Sequence, residues 1–410
     1  EAVDGSGAQN VNDLLNANDA ENLCAGVLYQ SDVYLDEQQM EDVLDAALEY
    51  NELTRKELPV PYPWKSEDPA SRQPSLPESR EILTVVKKDF GRKKRKIVQD
   101  ESQYWDLPVR YWIDSSSKVG GIKRGVKNAI SHIEKRTCLS FKEITSSRQR
   151  IGNYLKFVKG QSCYSAVGKS QGQSYQVVSI SKDCRAGSIV HEISHSLGFW
   201  HEQSRPDRDN SVSVVNGNIK SQRLKEFLVQ KNGTVNTSVP YDYGSIMHYT
   251  ESAYSKDKSL HTLDAYELAY QKTMGQRLEL SFLDVLTLSN AYCPDACRDN
   301  QLECEDGGFT NPNDCSACFC PYGLGGKLCA DLKESDGDCG GELTATSNWS
   351  SVSGQSGADE NKNCYWRITA DEDKTIELKV ENLEFECTEK SCGLYVEIKS
   401  TADFRYTGTR

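Results

Sequence analysis

The spacing of three histidines within eleven residues constrains this chain more than any other feature of its sequence. His191 and His195 are four residues apart, so on a helix they share one face, about 6 Å apart along the axis. On a continuous helix His201 would lie about 15 Å from His191, but Gly198 tolerates the left-handed conformation that ends a helix and turns the chain back. The pattern therefore predicts a helix, a turn and a site where three imidazoles meet. An ordinary core helix that carries histidines is the alternative.

The residue next to the first histidine adds a catalytic group to this site. Three histidines with one open coordination position are typical of catalytic Zn²⁺, so we predict one zinc ion on the three imidazoles. The carboxylate of Glu192 can reach a water molecule in that open position. We therefore predict that Glu192 is the general base, which takes a proton from the attacking water and passes it to a departing amine.

Two longer segments resemble a known family. His-Glu-x-x-His-x-x-Gly-x-x-His is the metzincin signature, and residues 202–209 after it resemble the extended astacin motif. The segment Ser245-Ile246-Met247-His248-Tyr249 resembles the methionine turn of the same family. The resemblance implies that Met247 forms an apolar floor below the zinc. It also implies that Tyr249 is a movable fifth ligand that stabilises the transition state. A metzincin of another family is the alternative, but snake-venom-type relatives would have Asp in place of Glu202.

Residues 1–95 are interpreted as a removable propeptide. Apolar residues at helical spacing predict a helix near residues 36–57. Six of the twelve prolines lie between Pro59 and Pro77, which favours an extended linker. The run Arg92-Lys93-Lys94-Arg95 fits a processing site of furin type, with the cut after Arg95 and Lys96 as the new first residue. Ile97 is the alternative first residue.

The resemblance also implies how the propeptide keeps the zinc silent. In astacin zymogens an Asp in a Phe-x-Gly-Asp stretch reaches the metal, and the matching stretch here is Tyr29-Gln30-Ser31-Asp32, with Tyr and Ser at two of the family's positions. Asp32 is therefore expected to bind the zinc in the zymogen only. Cys24 is the rival, because a thiolate binds zinc well. In the family the new amino terminus then folds inward and pairs with the Glu after the third histidine, so Lys96 would supply the ammonium and Glu202 the carboxylate.

Three regions follow the propeptide. Residues 96–293 resemble an α+β metzincin catalytic domain with a zinc cleft, with strands predicted at 109–113, 155–158 and 177–180 and helices over 120–136 and from about 188. Residues 294–330 contain six cysteines and resemble an EGF-like module, with a zinc ribbon as the alternative. Residues 339–410 resemble an all-β CUB sandwich, with strands predicted at 364–368 and 394–398. At 72 residues this part is short for that fold, so we expect it to be incomplete.

The cysteines and sequons indicate a secreted protein. Eleven of the fifteen cysteines lie between Cys293 and Cys392, a density typical of oxidising compartments. Three sequons make Asn232, Asn236 and Asn348 candidate glycosylation sites. The resemblance implies six disulfides: Cys138–Cys293, Cys163–Cys184, Cys297–Cys315, Cys304–Cys318, Cys320–Cys329 and Cys339–Cys364. Cys387 and Cys392 bond either to each other or to a residue beyond the end of the chain.

Composition limits the partners. The formal net charge of −13 argues against nucleic acid. The sequence has no run of about 18 apolar residues, which argues against a membrane span. The order of the parts resembles invertebrate secreted astacins, including nematode hatching and moulting enzymes. This implies protein substrates of extracellular matrix, cuticle or egg-envelope type, and a processing protease of furin type. A non-catalytic adhesion or scaffold protein that acts through its EGF-like and CUB modules is the alternative.

Overall fold

The structure is a computed structural model. It describes residues 32–34, 95–114, 121–230, 234–236, 239–354, 362–382, 387–388, 391–392 and 395–410. The helix expected near residues 36–57, together with Cys24, Arg92 and Asn232, lies outside the described residues. None of the helices in the described ranges is long and apolar enough to cross a membrane.

A six-stranded sheet forms one layer of the region that contains the histidine motif. The strands up to residue 265 are β1 (Val33–Tyr34), β2 (Arg95–Val98), β3 (Val109–Ile113), β4 (Phe141–Glu143), β5 (Leu155–Lys159), β6 (Tyr164–Ala166), β7 (Gln176–Ile180), β8 (Val212–Val214), β9 (Thr234–Asn236) and β10 (Leu263–Ala265). The order in the large sheet is β1-β6-β7-β5-β3-β4. Its neighbours are parallel except for the antiparallel pair of β6 and β7. The predictions of β3, β5 and β7 are confirmed, and β1 adds a strand from the expected propeptide.

The part of this region that the structure describes also contains three α-helices: α1 (Ile122–Glu134), α2 (Ala186–Ser196) and α3 (Phe282–Tyr292). The helix predicted over 120–136 is confirmed as α1, whose buried residues recur at helical spacing: Ile122, Val126, Ala129, Ile130 and Ile133. Helix α2 carries the first two histidines, and apolar side chains of the sheet, α1 and α2 share one core. Helix α3 begins with a capping box, in which Ser281 and Asp284 each bind the other's backbone N–H. The α+β architecture therefore places α2 inside the molecule.

Within the described residues, six disulfide bonds join the pairs named above: Cys138–Cys293, Cys163–Cys184, Cys297–Cys315, Cys304–Cys318, Cys320–Cys329 and Cys339–Cys364. The first joins the end of α3 to the segment after α1, 155 residues away in sequence. The next module along the chain contains two short hairpins, β11 (Phe309–Thr310) with β12 (Cys318–Phe319) and β13 (Leu324–Gly325) with β14 (Asp331–Leu332). Three of the six disulfides hold this small module.

The region after residue 338 contains two pairs of strands within its described part. Strand β15 (Gly341–Thr344) pairs in parallel with β16 (Trp366–Thr369), and β17 (Cys387–Thr388) pairs with β18 (Ser391–Cys392) so that Cys387 and Cys392 are opposite each other. The strand expected over 394–398 is wrong for residues 395–398, where the backbone forms one isolated bridge from Ile398 to Thr409. Among the described residues its alternating pattern has no neighbouring strand to pair with, and Tyr395 and Val396 are exposed.

Candidate active site

The three histidines of the motif converge in the structure. Their ring centroids are 4.6 to 5.3 Å apart, and all three rings are buried. Helix α2 ends one residue after His195, and Gly198 has a φ of +105°, so the chain turns back as the sequence predicts. A Cβ at Gly198 would lie 2.7 Å from the side chain of Val98, so close packing also requires glycine there.

Two of the rings are held in one tautomer by backbone carbonyls. The Nδ1 of His191 is 2.8 Å from the oxygen of Ile246, and the Nδ1 of His195 is 2.8 Å from the oxygen of Phe199. Each Nδ1–H donates to its carbonyl, which leaves the lone pair of Nε2 directed at the shared centre. The Nε2 of His195 is buried and makes no hydrogen bond within the described residues. Burial, helped by the neighbouring imidazoles, lowers the pKa of His195 well below its ordinary value, so the ring stays neutral.

Asp32 occupies the centre of this cluster. Its Oδ2 lies 3.2 Å from the Nε2 atoms of both His191 and His201, and its Oδ1 lies 3.9 Å from the Nε2 of His195. Burial alone would raise the pKa of Asp32, but the surrounding histidines hold it well below its ordinary value. Strand β1 positions this carboxylate, because the backbone oxygen of Asp32 accepts a bond of 2.8 Å from the N–H of Ser165 on β6.

The donor set fits a zinc ion. Four ligand atoms, one from each histidine and one from Asp32, lie within 4.8 Å of one another. Neutral imidazoles with one carboxylate suit tetrahedral Zn²⁺, and the carbonyl partners of the Nδ1 atoms are the usual second layer of such sites. The unpartnered Nε2 of His195 is therefore explained by a metal ligand role.

Glu192 lies beside the cluster with a free oxygen. The side chain is 2% exposed, and within the described part of the chain its Oε2 has no hydrogen-bond partner. Burial raises the pKa of Glu192 well above its ordinary value, the Asp32 carboxylate adds to this, and the Arg277 guanidinium opposes it. A carboxyl whose pKa is raised toward neutrality can both accept and return a proton.

Tyr249 and Met247 are both buried and contact the segment that begins with the third histidine. The ring of Tyr249 is 4.6 Å from the ring of His201 and packs against Phe227. Burial raises the pKa of Tyr249 well above its ordinary value, so its hydroxyl remains a hydrogen-bond donor. Met247 is fully buried in the core, and its backbone oxygen accepts a bond of 3.1 Å from the N–H of Glu202.

The residues expected at the processing and glycosylation sites differ in burial and in secondary structure. Arg95 begins strand β2, which pairs with β9, and Asn236 ends β9 opposite it. Lys96, the residue expected to become the new amino terminus, is fully buried in the uncut chain. Asn348 lies on an exposed bend.

Sequence reasoning missed two residues of this site. Arg277 is half-buried, and its Nη1 donates to the oxygen of His248 over 2.9 Å. It is the cation whose charge acts on Glu192, and only its place after the methionine turn could have suggested a role. Asp284 accepts from the N–H of Ile246 over 2.9 Å and so holds the methionine turn. The Ser-x-x-Asp pattern predicts its helix-capping role, but not this contact.

Known proteins resemble the chain over most of its length. The profile of the astacin peptidase family matches residues 97–293, and the CUB domain profile matches residues 339–407. Zinc metalloproteinase nas-36 from Caenorhabditis elegans is 36% identical over 339 residues, which cover 80% of this chain and 54% of that protein. Zinc metalloproteinase nas-26 from the same organism is 36% identical over 348 residues, which cover 82% of this chain and 81% of that protein.

A solved structure also resembles the chain. High choriolytic enzyme 1, a hatching enzyme zinc-protease from the medaka fish Oryzias latipes, is 30% identical, and the match covers 47% of this chain and 94% of that chain, with a TM-score of 0.42. The chain spans about half the length of nas-36, at 54%.

Proposed function

The chain belongs to the astacin family of zinc metallopeptidases, and from that premise we propose that it is a secreted zinc metalloendopeptidase that hydrolyses peptide bonds of extracellular proteins. The observation that carries the proposal is the convergence of three histidine rings beside a buried carboxyl with a free oxygen. His191, His195 and His201 hold the zinc. A zinc ion bound there would act as a Lewis acid, which activates water and polarises a peptide carbonyl at neutral pH.

The chain's own residues move the protons. Glu192 takes a proton at Oε2 from the attacking water and delivers it to the nitrogen of the departing amine. The hydroxyl of Tyr249 donates a hydrogen bond to the oxyanion that forms on the scissile carbonyl, a contribution of about 3 kcal/mol in comparable sites. Met247 supports the histidines from below through the core, and Glu202 holds the methionine turn through its N–H.

We further propose that the chain is made as a latent zymogen with an aspartate switch. The Asp32 carboxylate lies at the centre of the histidine cluster, where the substrate carbonyl would have to enter. Strand β1 delivers it as an edge strand of the main sheet, so the propeptide and an extended substrate compete for one cleft. A furin-type cut after Arg95 then releases residues 1–95.

The remaining parts suit an extracellular protein. Six disulfides support an oxidising compartment, and the module of residues 294–330, with three of them, is proposed to be EGF-like. Protein substrates of extracellular matrix, cuticle or egg-envelope type are proposed. The alternative is a purely adhesive, non-catalytic role. That role does not explain why the Glu192 carboxyl is buried beside the metal cluster.

Casein hydrolysis tests the proposal. Limited trypsin treatment of the wild-type chain should produce activity that a zinc chelator abolishes and added Zn²⁺ restores. Glu192→Ala should bind about one zinc per chain, measured by elemental mass spectrometry, while turnover falls at least about 10²- to 10⁴-fold. Glu143→Ala, a partly exposed glutamate on β4, is the matched control and should keep wild-type turnover. Full activity of Glu192→Ala, or a zinc-free protein, would overturn the proposal.

A further inference from the structure

The side chain of Lys96 lies in an acidic pocket behind the zinc site. Lys96 is fully buried, and its Nζ is 2.9 Å from Oε2 of Glu202 and 2.6 Å from Oδ1 of Asp284. It also donates to Oγ of Ser245 over 3.2 Å. Two of these partners belong to segments that hold the site, because Glu202 follows the third histidine and Ser245 begins the methionine turn. The third, Asp284 on α3, binds the N–H of Ile246 in that turn.

The pocket requires a cation. Glu202, Asp284 and Asp242 are all buried, and a buried carboxylate without a counter-charge is strongly destabilising. Arg205 satisfies the other oxygen of Glu202 at 3.0 Å, so it does not replace Lys96 at Oε2. Burial would lower the pKa of Lys96, but Asp284, Glu202 and Asp242 outweigh it and raise the pKa above its ordinary value. The ammonium is therefore charged where it lies.

Lys96 directly follows the expected cleavage site, so its contact with Glu202 shows which ammonium occupies the pocket before cleavage. The family resemblance leads one to expect that an amino terminus created by cleavage pairs with Glu202. In this structure the Arg95–Lys96 bond is intact, within strand β2, and the ammonium beside Glu202 is that of the side chain. The backbone from Lys96 to Val98 is held in place, since the N–H of Trp200 donates to the oxygen of Lys96 over 3.1 Å and the N–H of Val98 donates to the oxygen of Gly198 over 2.9 Å.

We propose that Nζ of Lys96, and not a newly formed amino terminus, is the permanent counter-ion of Glu202 and Asp284. Lys96 is then a positioning residue that assembles the methionine turn and the third histidine in the uncut chain. It keeps them assembled after a cut at any bond before residue 96. Latency then resides in Asp32 alone. The second half of this inference rests on the proposed activation cut.

The contacts behind the pocket explain how Lys96 acts on the site. Asp284, held by Lys96, accepts from Oγ of Ser245 over 2.7 Å and from the N–H of Ile246 over 2.9 Å. The oxygen of Ile246 in turn holds the ring of His191. Removal of the ammonium therefore disturbs a zinc ligand three contacts away, through Asp284 and Ile246.

Reductive methylation of the wild-type protein tests where the ammonium lies. The uncut full chain and the chain cut after Arg95 are treated while folded, then unfolded and mapped by mass spectrometry. We expect Nζ of Lys96 to stay unmodified in both forms, while the exposed Lys142 reacts fully. Modification of Nζ in the uncut chain would overturn the inference. Modification of Nζ only after the cut would show that the new terminus displaces it, which also overturns it.

A set of variants tests the charge. In the uncut chain, Lys96→Met should lower the thermal unfolding midpoint by about 10 °C or more, because it leaves buried carboxylates unpaired. Lys96→Arg keeps the charge and should recover part of that loss. Lys127→Met removes a lysine from a surface ion pair with Glu143 and should change the midpoint by about 2 °C or less. An unchanged midpoint in Lys96→Met would contradict the inference.

These measurements are independent of peptide hydrolysis. Methylation and unfolding report on the pocket even if the chain proves inactive. Failure of the casein assay and failure of this inference are therefore distinguishable.

Discussion

At the residue scale, the histidine motif defines the site, and two local features determine its geometry. The four-residue spacing places two rings on one face of α2, and the φ of +105° at Gly198 brings the third ring back to them. These features could be predicted from sequence, because they depend on local backbone geometry. Arg277 and Asp284 could not, because they reach the site only through tertiary folding and neither has a local pattern that indicates its partner.

The hydroxyl of Tyr249 gives a prediction at this scale. Tyr249→Phe keeps the ring that packs on His201 and Phe227 but loses the donor to the oxyanion. We expect kcat of the activated enzyme to fall about 10²- to 10³-fold with little change in KM. Tyr243→Phe removes a hydroxyl that binds the oxygen of Ser211, and it should leave kcat close to wild type. Steady-state kinetics on a fluorogenic peptide measures both, and an unimpaired Tyr249→Phe would exclude this role.

Asp32 gives a second prediction. In the uncut chain, Asp32→Ala removes the carboxylate from the histidine cluster while strand β1 keeps its backbone contact with β6. We expect peptide hydrolysis by the uncut variant to rise at least about tenfold over the uncut wild type, the factor that corresponds to about 1.4 kcal/mol of lost inhibitory contact. Electrophoresis must show that the variant is still uncut. Asp36→Ala is the control, and equal latency of Asp32→Ala would contradict the switch.

At the scale of elements, pattern and packing agree for the helices and the central strands. The buried positions of α1 recur at helical spacing, and β3 alternates between buried and half-buried residues, so periodicity alone predicts both. Strand β1 is different, because two residues form a strand only when β6 offers its edge. Residues 395–398 have the alternation of a strand, but within the described part of the chain they form only the bridge from Ile398 to Thr409. Sequence pattern cannot show that difference.

His132 near the end of α1 gives a prediction about pH. Its Nε2 accepts from the N–H of Leu280 over 3.2 Å, so the folded protein needs the neutral ring. Burial, aided by Arg136 and Lys135, lowers its pKa to about 3. At a pH below 6.5, the ordinary pKa of histidine, His132 binds a proton in the unfolded chain but stays neutral in the folded chain. The folded protein therefore loses stability as the pH falls from 6.5 toward about 3.

We expect this histidine to remove about 2 kcal/mol of the free energy of unfolding between pH 7 and pH 5. His132→Gln keeps an acceptor and does not titrate, so its loss over the same range should be smaller by that amount. Urea unfolding of both proteins at the two pH values measures the difference. Identical losses would show that His132 does not contribute. Other titrating groups and the zinc site act equally on both proteins.

At the scale of the whole molecule, the long disulfide gives a prediction about stability. Cys138–Cys293 closes a loop of 155 residues and Cys163–Cys184 one of 21. Loop-closure entropy predicts losses of about 5 and about 3 kcal/mol when each pair is replaced by alanine. Urea unfolding of the two double variants measures this. A smaller loss for the Cys138–Cys293 pair than for the shorter one would contradict the entropic explanation.

The whole-molecule organisation could be predicted only in part from sequence. Cysteine spacing and motif resemblance indicated the order of the regions, and the profiles match two of them, at residues 97–293 and 339–407. How the regions meet was not predictable. Thr407 packs against Gly244 beside the methionine turn, and Arg405 packs against Gly307 in the small module. Such contacts depend on surface shape, for which the linear sequence offers no period or spacing.

The bond from Cys138 to Cys293 also determines how backbone cleavage of this protein appears on a gel. The two cysteines enclose the histidine helix, the methionine turn and α3 within a single covalent ring. A nick anywhere inside that ring leaves both pieces attached, so an internally nicked chain keeps its full mass until a reductant opens the ring. Gel bands compared with and without reductant would therefore separate nicking within the ring from removal of the amino-terminal segment outside it.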